Sequence, residues 1–160
     1  MLSADFAAAG RPAPLVWYLA LGRLLERLAP LTDLLLRLAV FRIFFWSGLA
    51  KIDDWSSTLL LFENEYNIPL LPPALAAMLA TGTELVASLL VLVGLLARLA
   101  VLPLLALTMV IQFVLGAVDP AYNQLQHYLW MMLLLMLAVR GPGVLSLDAW
   151  LERRFAQSGA

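Results

Sequence analysis

Four stretches of the chain are apolar almost without interruption: residues 32–50, 73–96, 98–118 and 123–139. Each comes close to the roughly 20 predominantly apolar residues with which an α-helix crosses a bilayer core. Pro30 and Thr32 open the first and Pro72 and Pro73 the second, while "RGPG" at 140–143 stops the fourth. The runs are too long and too unalternating for barrel strands, and in lipid the backbone must satisfy its own hydrogen bonds. The pattern therefore predicts an all-α fold, a four-transmembrane-helix bundle.

Two further segments have a mixed pattern. In "APLVWYLALGRLLERLA", residues 13–29, Trp17, Leu21, Leu24, Leu25 and Leu28 recur at helical spacing, with Arg23, Glu26 and Arg27 turned elsewhere. This predicts an N-terminal amphipathic helix lying in the cytoplasmic interface. A signal peptide fits worse, because the start is barely basic and no small-residue cleavage site follows a clean apolar core. The connection 51–72 is too long to be structureless in a compact bundle. Within it "DWSSTLLLFENE" has Asp54 as an N-cap and Leu59, Leu60 and Phe62 as an apolar face, which predicts a short outer-loop helix before a rigid "NIPLLPP". The organisation expected is an interfacial segment over 1–30, a membrane domain over 31–151 and a cytoplasmic tail over 152–160.

Composition sharpens this picture. Of 160 residues, 63% are hydrophobic and 13% charged, against roughly 25% charged in an average soluble domain. A net charge of -1 with scattered cations argues against nucleic acid as a partner. The absence of cysteine excludes disulfides, thiol catalysis, iron–sulfur clusters and cysteine-ligated zinc. Arg11, Arg23, Arg27, Arg98, Arg140, Arg153 and Arg154 fall on one side of the predicted spans; Lys51 shares the other with Asp53, Asp54, Glu63, Glu65 and Asp119. By the positive-inside bias both termini are expected in the cytoplasm.

Four polar residues interrupt the spans. Measured from the outer helix ends at 1.5 Å per residue, Arg42 lies about 12 Å deep, Glu84 about 16 Å and Gln112 about 9 Å, with His127 near the surface. Buried charges pair and face the bundle interior, so Arg42 and Glu84 are expected to form an ion pair. Ala77, Thr81 and Ser88 extend a small, hydroxylated stripe around Glu84; Thr108, Gln112 and Gly116, and then Asn123, His127 and Met131, repeat it on later helices. Trp46, one turn from Arg42, and Trp130 are the candidate aromatic walls. Two readings stay open: a pair that fixes helix register, with Gln112 and His127 adding hydrogen bonds, or a polar pocket for a headgroup or quinone-like ring. In the second, the ligand-binding residues are Arg42, Trp46, Glu84, Gln112 and His127. A single histidine gives no bis-histidine haem, and no metal-ligand spacing is present. The loop carboxylates read as a solvated face.

With these residues in place, "LRLAVFRIFFWSGLAKIDDW", "YNIPLLPPALAAMLATGTELVASLLVLVGLLARLAV" and "GPGVLSLD" resemble, in order and spacing, the DoxX family of small four-helix membrane proteins. The resemblance covers about residues 34–151. It implies an inner-membrane location, a link to redox or stress-response systems, and quinone as the associated small molecule; no motif carries over a catalytic residue. The expectation is a non-catalytic or quinone-interacting membrane component. The alternative is a membrane anchor or assembly factor for a partner protein, with homo-oligomerisation left open. A small-solute transporter ranks last, because no paired broken helices are seen.

Overall fold

The structure, a computed structural model, describes residues 13–66 and 71–156, and all the regular elements among them are helical. The start of the predicted 1–30 segment, residues 67–70 of the "NIPLLPP" stretch and the end of the predicted tail lie outside the described residues.

Helix α1 runs unbroken over Ala13–Asp53. The expected interfacial helix and first span are thus one helix, about 60 Å long at 1.5 Å per residue. Pro30 lies inside it. An internal proline removes one backbone bond and crowds the preceding turn, but leucine, alanine and arginine on both sides favour helix, and Thr32 donates to the Ala29 carbonyl across the site at 2.9 Å. The first half of α1 projects beyond its neighbours, so that Leu15, Trp17, Tyr18, Leu21 and Leu24 are all exposed.

Helix α2, Trp55–Leu61, begins as the sequence predicts: Asp54 caps it by accepting from the Ser57 amide at 3.0 Å. A π-helical turn, Phe62–Tyr66, continues it. Phe62 is buried and Leu59 packs beside it against Ala76, Ala77 and Ala80, whereas Leu60 points outward.

Helix α3, Pro73–Val93, starts with proline in its first turn and stops at Gly94, whose φ of 70° supplies the left-handed cap. Helix α4, Ala97–Val118, has Pro103 in its interior and a π-helical stretch over Val110–Leu115. A 3₁₀ turn, Pro120–Tyr122, leads to α5, Leu125–Arg140, and a glycine-rich turn leads to α6, Leu147–Ala156. Asp148 of α6 accepts from the Leu96 and Ala97 amides, at 2.8 and 3.1 Å, and so caps α4.

By length and hydropathy α3 and α4 qualify as membrane-crossing helices, and α5 is a shorter apolar helix. The packing runs α1 on α3, α3 on α4 and α4 on α5, with α5 returning to α1. Val40, Phe44, Val91, Val101, Leu104, Leu134 and Leu137 form the central core. At Gly48 the first and third helices approach so closely that a Cβ would lie 2.8 Å from the Leu85 side chain.

Candidate functional site

Glu84 sits on the α3 face that the sequence selects: Ala77, Thr81, Glu84 and Ser88 are all buried. Its partner is Lys51. The Lys51 Nζ donates to both carboxylate oxygens, at 2.7 and 2.9 Å, and to Ser47 Oγ at 2.8 Å, while Ser47 Oγ donates to Glu84 at 3.2 Å. Ser47 and Lys51 are one turn apart in the last turns of α1, which places both beside Glu84.

The predicted Arg42–Glu84 pair does not form. Arg37, Val40, Phe44 and Gly48 define the buried face of α1, and Arg42 is exposed. Five residues beyond Arg37, it points about 140° away round the helix. Trp46 shares that outward face and is 58% exposed, so neither residue belongs to the interior site. Depth alone suggested the pairing; helix face decides it.

Below the Lys51–Glu84 pair lies a mostly enclosed cavity of about 220 Å³. Its polar wall comprises Ser47, Lys51, Glu84, Thr108, Gln124 and His127. Phe44, Phe62, Tyr66, Tyr122 and Trp130 supply the aromatic wall, so of the two candidate tryptophans Trp130 lines the space and Trp46 does not. Gln112 does not line the space but holds His127: Nδ1 lies 3.0 Å from Gln112 Oε1 and 3.1 Å from the Tyr122 carbonyl. A carbonyl only accepts, so Nδ1 carries a proton, and in the neutral ring Nε2 is the acceptor. Neither of these contacts engages Nε2. The Gln112 amide also donates to Asn123 Oδ1; Asn123 is exposed and precedes α5, so of the predicted stripe of Asn123, His127 and Met131 only His127 is buried. Both π-helical turns, Phe62–Tyr66 and Val110–Leu115, border this cavity; such turns frequently mark functional positions.

Aromatic rings cluster at the end of the cavity beside Glu65. Tyr66 packs edge-on against Phe62 and Tyr122, with centroids 4.8 and 5.4 Å apart, and the Tyr122 hydroxyl donates to the Glu65 carboxylate. That hydrogen bond is the main reason the Tyr122 hydroxyl holds its proton well above the usual tyrosine range. Burial, then the charges of Glu84 and Glu65, push Tyr66 up as well. Among the described residues no cluster of three His, Asp or Glu side chains is placed to hold a metal ion.

A model of the DoxX family matches residues 32–117, which is more than half of the chain. The chain belongs to the DoxX family. No curated protein and no solved structure matched it. The DoxX match takes in Lys51, Glu84, Thr108 and Gln112, while His127 and Trp130 lie beyond its end. Family membership makes this a member of a group of small membrane proteins, in agreement with the two helices long and apolar enough to span.

The DoxX region also contains a buried cation that sequence reasoning missed. Arg37, 1% exposed, donates through Nη1 to the Leu92 carbonyl at 2.8 Å and through Nη2 to the Leu145 carbonyl. It thereby ties the end of α3 to the turn before α6, next to the Asp33–Arg140 ion pair at 3.4 Å. A Cβ at Gly94 would lie 2.8 Å from Arg37 Nη1, so only glycine leaves room for this clamp. The signal was present: Arg37, Phe44 and Lys51 recur every seven residues and so share one helix face.

Proposed function

We propose that this DoxX protein is a non-catalytic, quinone-interacting membrane component of a redox or stress-response system, and that the enclosed cavity receives the ring. The observation that carries the reading is the joint presence, round one small space, of an ammonium in Lys51, a carboxylate in Glu84, the imidazole of His127 and aromatic walls. At about 220 Å³ the space lies below the roughly 300–1,000 Å³ of drug-sized pockets, which suits a single substituted ring. Lys51 would exchange its hydrogen bond to Ser47 for one to a ring carbonyl, the His127 imidazole would bond a ring hydroxyl, and Glu84 would exchange a proton while Lys51 holds its charge.

This reading sets the second half of α1, with α3, α4 and α5, across an inner membrane, both termini cytoplasmic. It is supported by the separation of charges: Arg98 and Arg140 meet at one end, where Arg98 donates to the Arg140 carbonyl, while Glu65 and Tyr122 meet at the other. Native mass spectrometry of protein drawn gently from its own membranes tests the proposal. A bound mass equal to a quinone, lost in Glu84→Gln, is expected; a co-purifying polypeptide with no small molecule would contradict it.

That second outcome belongs to the alternative, a membrane anchor or assembly factor. One observation favours it: Arg42 and Trp46 are exposed on the outward face of α1, and a charge facing lipid costs about 2.5–3.5 kcal/mol unless something covers it.

A further inference from the structure

The enclosed cavity has a neighbour. Between α3 and α4, on the outside of the bundle, runs a groove of about 260 Å³ lined almost wholly by apolar side chains, among them Leu71, Leu79, Pro103 and Ala106. Its origin is local. Alanines at 76, 80 and 106 leave little side chain on the facing turns, and Pro103 interrupts the regular surface of α4. Ala80, Leu107 and Val110 line both the groove and the enclosed cavity. One thin wall of small and medium side chains therefore separates a polar, aromatic chamber from an apolar channel on the bundle surface.

We infer that the two spaces form one binding site for an amphiphile once the Leu107 and Val110 side chains swing aside, with the polar ring in the cavity and its hydrocarbon tail lying in the α3–α4 groove. This rests on the ring-binding reading and extends it by assigning a tail subsite and a lateral route from the bilayer. Two further observations agree with that route. At the Glu65 end Tyr66 and Tyr122 pack edge-on beside the cavity and the Tyr122–Glu65 hydrogen bond ties them together, which narrows that approach. The groove rim is exposed and apolar, with Leu79 more than half exposed, so a tail leaving there enters lipid rather than water. A tail bound along this surface gains packing that a tailless ring lacks.

The test compares a tailless dimethoxy-benzoquinone with its decyl derivative, both titrated onto the full chain in nanodiscs, with partition into empty nanodiscs subtracted. Ala106 is exposed on the rim, so Ala106→Trp fills the groove without disturbing the core; Val139→Trp, on the exposed face of α5, is the control. The decyl compound should bind about tenfold or more tighter than the tailless ring. Ala106→Trp should bring that ratio close to one while leaving the tailless affinity unchanged, and Val139→Trp should alter neither. If the tailless ring binds but the tail adds nothing, or if its gain survives Ala106→Trp, the tail subsite is wrong and the ring-binding reading stands. If the tailless ring shows no saturable binding to the unmodified protein, both fail together.

Discussion

A carboxylate that is 3% exposed inside an apolar helix needs a partner, and for Glu84 that partner is the ammonium of Lys51. Removing one member of such a pair strands the other charge, at a typical cost of about 3–5 kcal/mol, whereas replacing both with apolar groups of similar size is often close to neutral. Lys51→Met alone should therefore lower the thermal midpoint sharply, and Lys51→Met with Glu84→Met should recover most of the loss; calorimetry of the unmodified protein, both single variants and the double variant in nanodiscs checks this. A loss in the double variant equal to the sum of the losses in Lys51→Met and Glu84→Met alone would show that the two charges are not coupled. Tyr122 offers a second residue-scale check. Donation to Glu65 raises its folded pKa, so the stabilising contribution is complete below the ordinary tyrosine value of about 10 and is lost as pH rises through the folded value. In Glu65→Gln, tyrosinate absorbance should develop at lower pH than in the unmodified protein. An unchanged titration would mean that the contact does not persist in solution.

At the scale of elements, the sequence was most legible where small residues marked a face. The stripe of Ala77, Thr81, Glu84 and Ser88 on α3, and that of Thr108 and Gln112 on α4, are buried as predicted. Helix α1 is apolar nearly all round, so its hydrophobic pattern carries little directional information; the inward face is set by what packs on it. Arg42 drew attention by its depth, while the seven-residue spacing of Arg37, Phe44 and Lys51 identified the inward face. Pro30 was read as a boundary and proved to be an interior position, since a proline weakens a helix without always ending it. The π-helical turns had no sequence signal at all. The cap of α2 was fully legible, and it carries a prediction. Hydrogen bonds from the Ser57 side chain and amide, and from Ser56, hold the Asp54 carboxyl below its usual pKa. The cap is thus intact above the ordinary carboxylate range and is lost as pH falls through the lowered folded value. Asp54→Ala should speed amide exchange in α2 at neutral pH while leaving α3 protected, and the unmodified protein should show the same fraying only in strong acid. Uniform protection in the variant would remove the cap from the account.

For the whole molecule, the all-helical class and DoxX membership were legible from the apolar runs and from the order of three recognisable stretches. The identity of the ion pair was not, because it depends on how helices rotate against one another. The proposed topology is directly testable, since the chain contains no cysteine. Single cysteines introduced by Glu63→Cys and Arg153→Cys should react with a membrane-impermeant maleimide from opposite sides of the membrane; labelling of both from one side would reject the four-crossing arrangement. The central claim is that Lys51, Glu84 and His127 surround a ring-binding cavity rather than merely a structural ion pair. The most direct measurement is the binding of tailless dimethoxy-benzoquinone to the unmodified protein and to the Lys51→Met, Glu84→Met double variant, with thermal midpoints recorded on the same samples. Saturable binding to the unmodified protein is expected and, in the double variant, a nearly unchanged midpoint with affinity reduced about tenfold or more. Undiminished binding to the double variant, or no saturable binding to the unmodified protein, would contradict it.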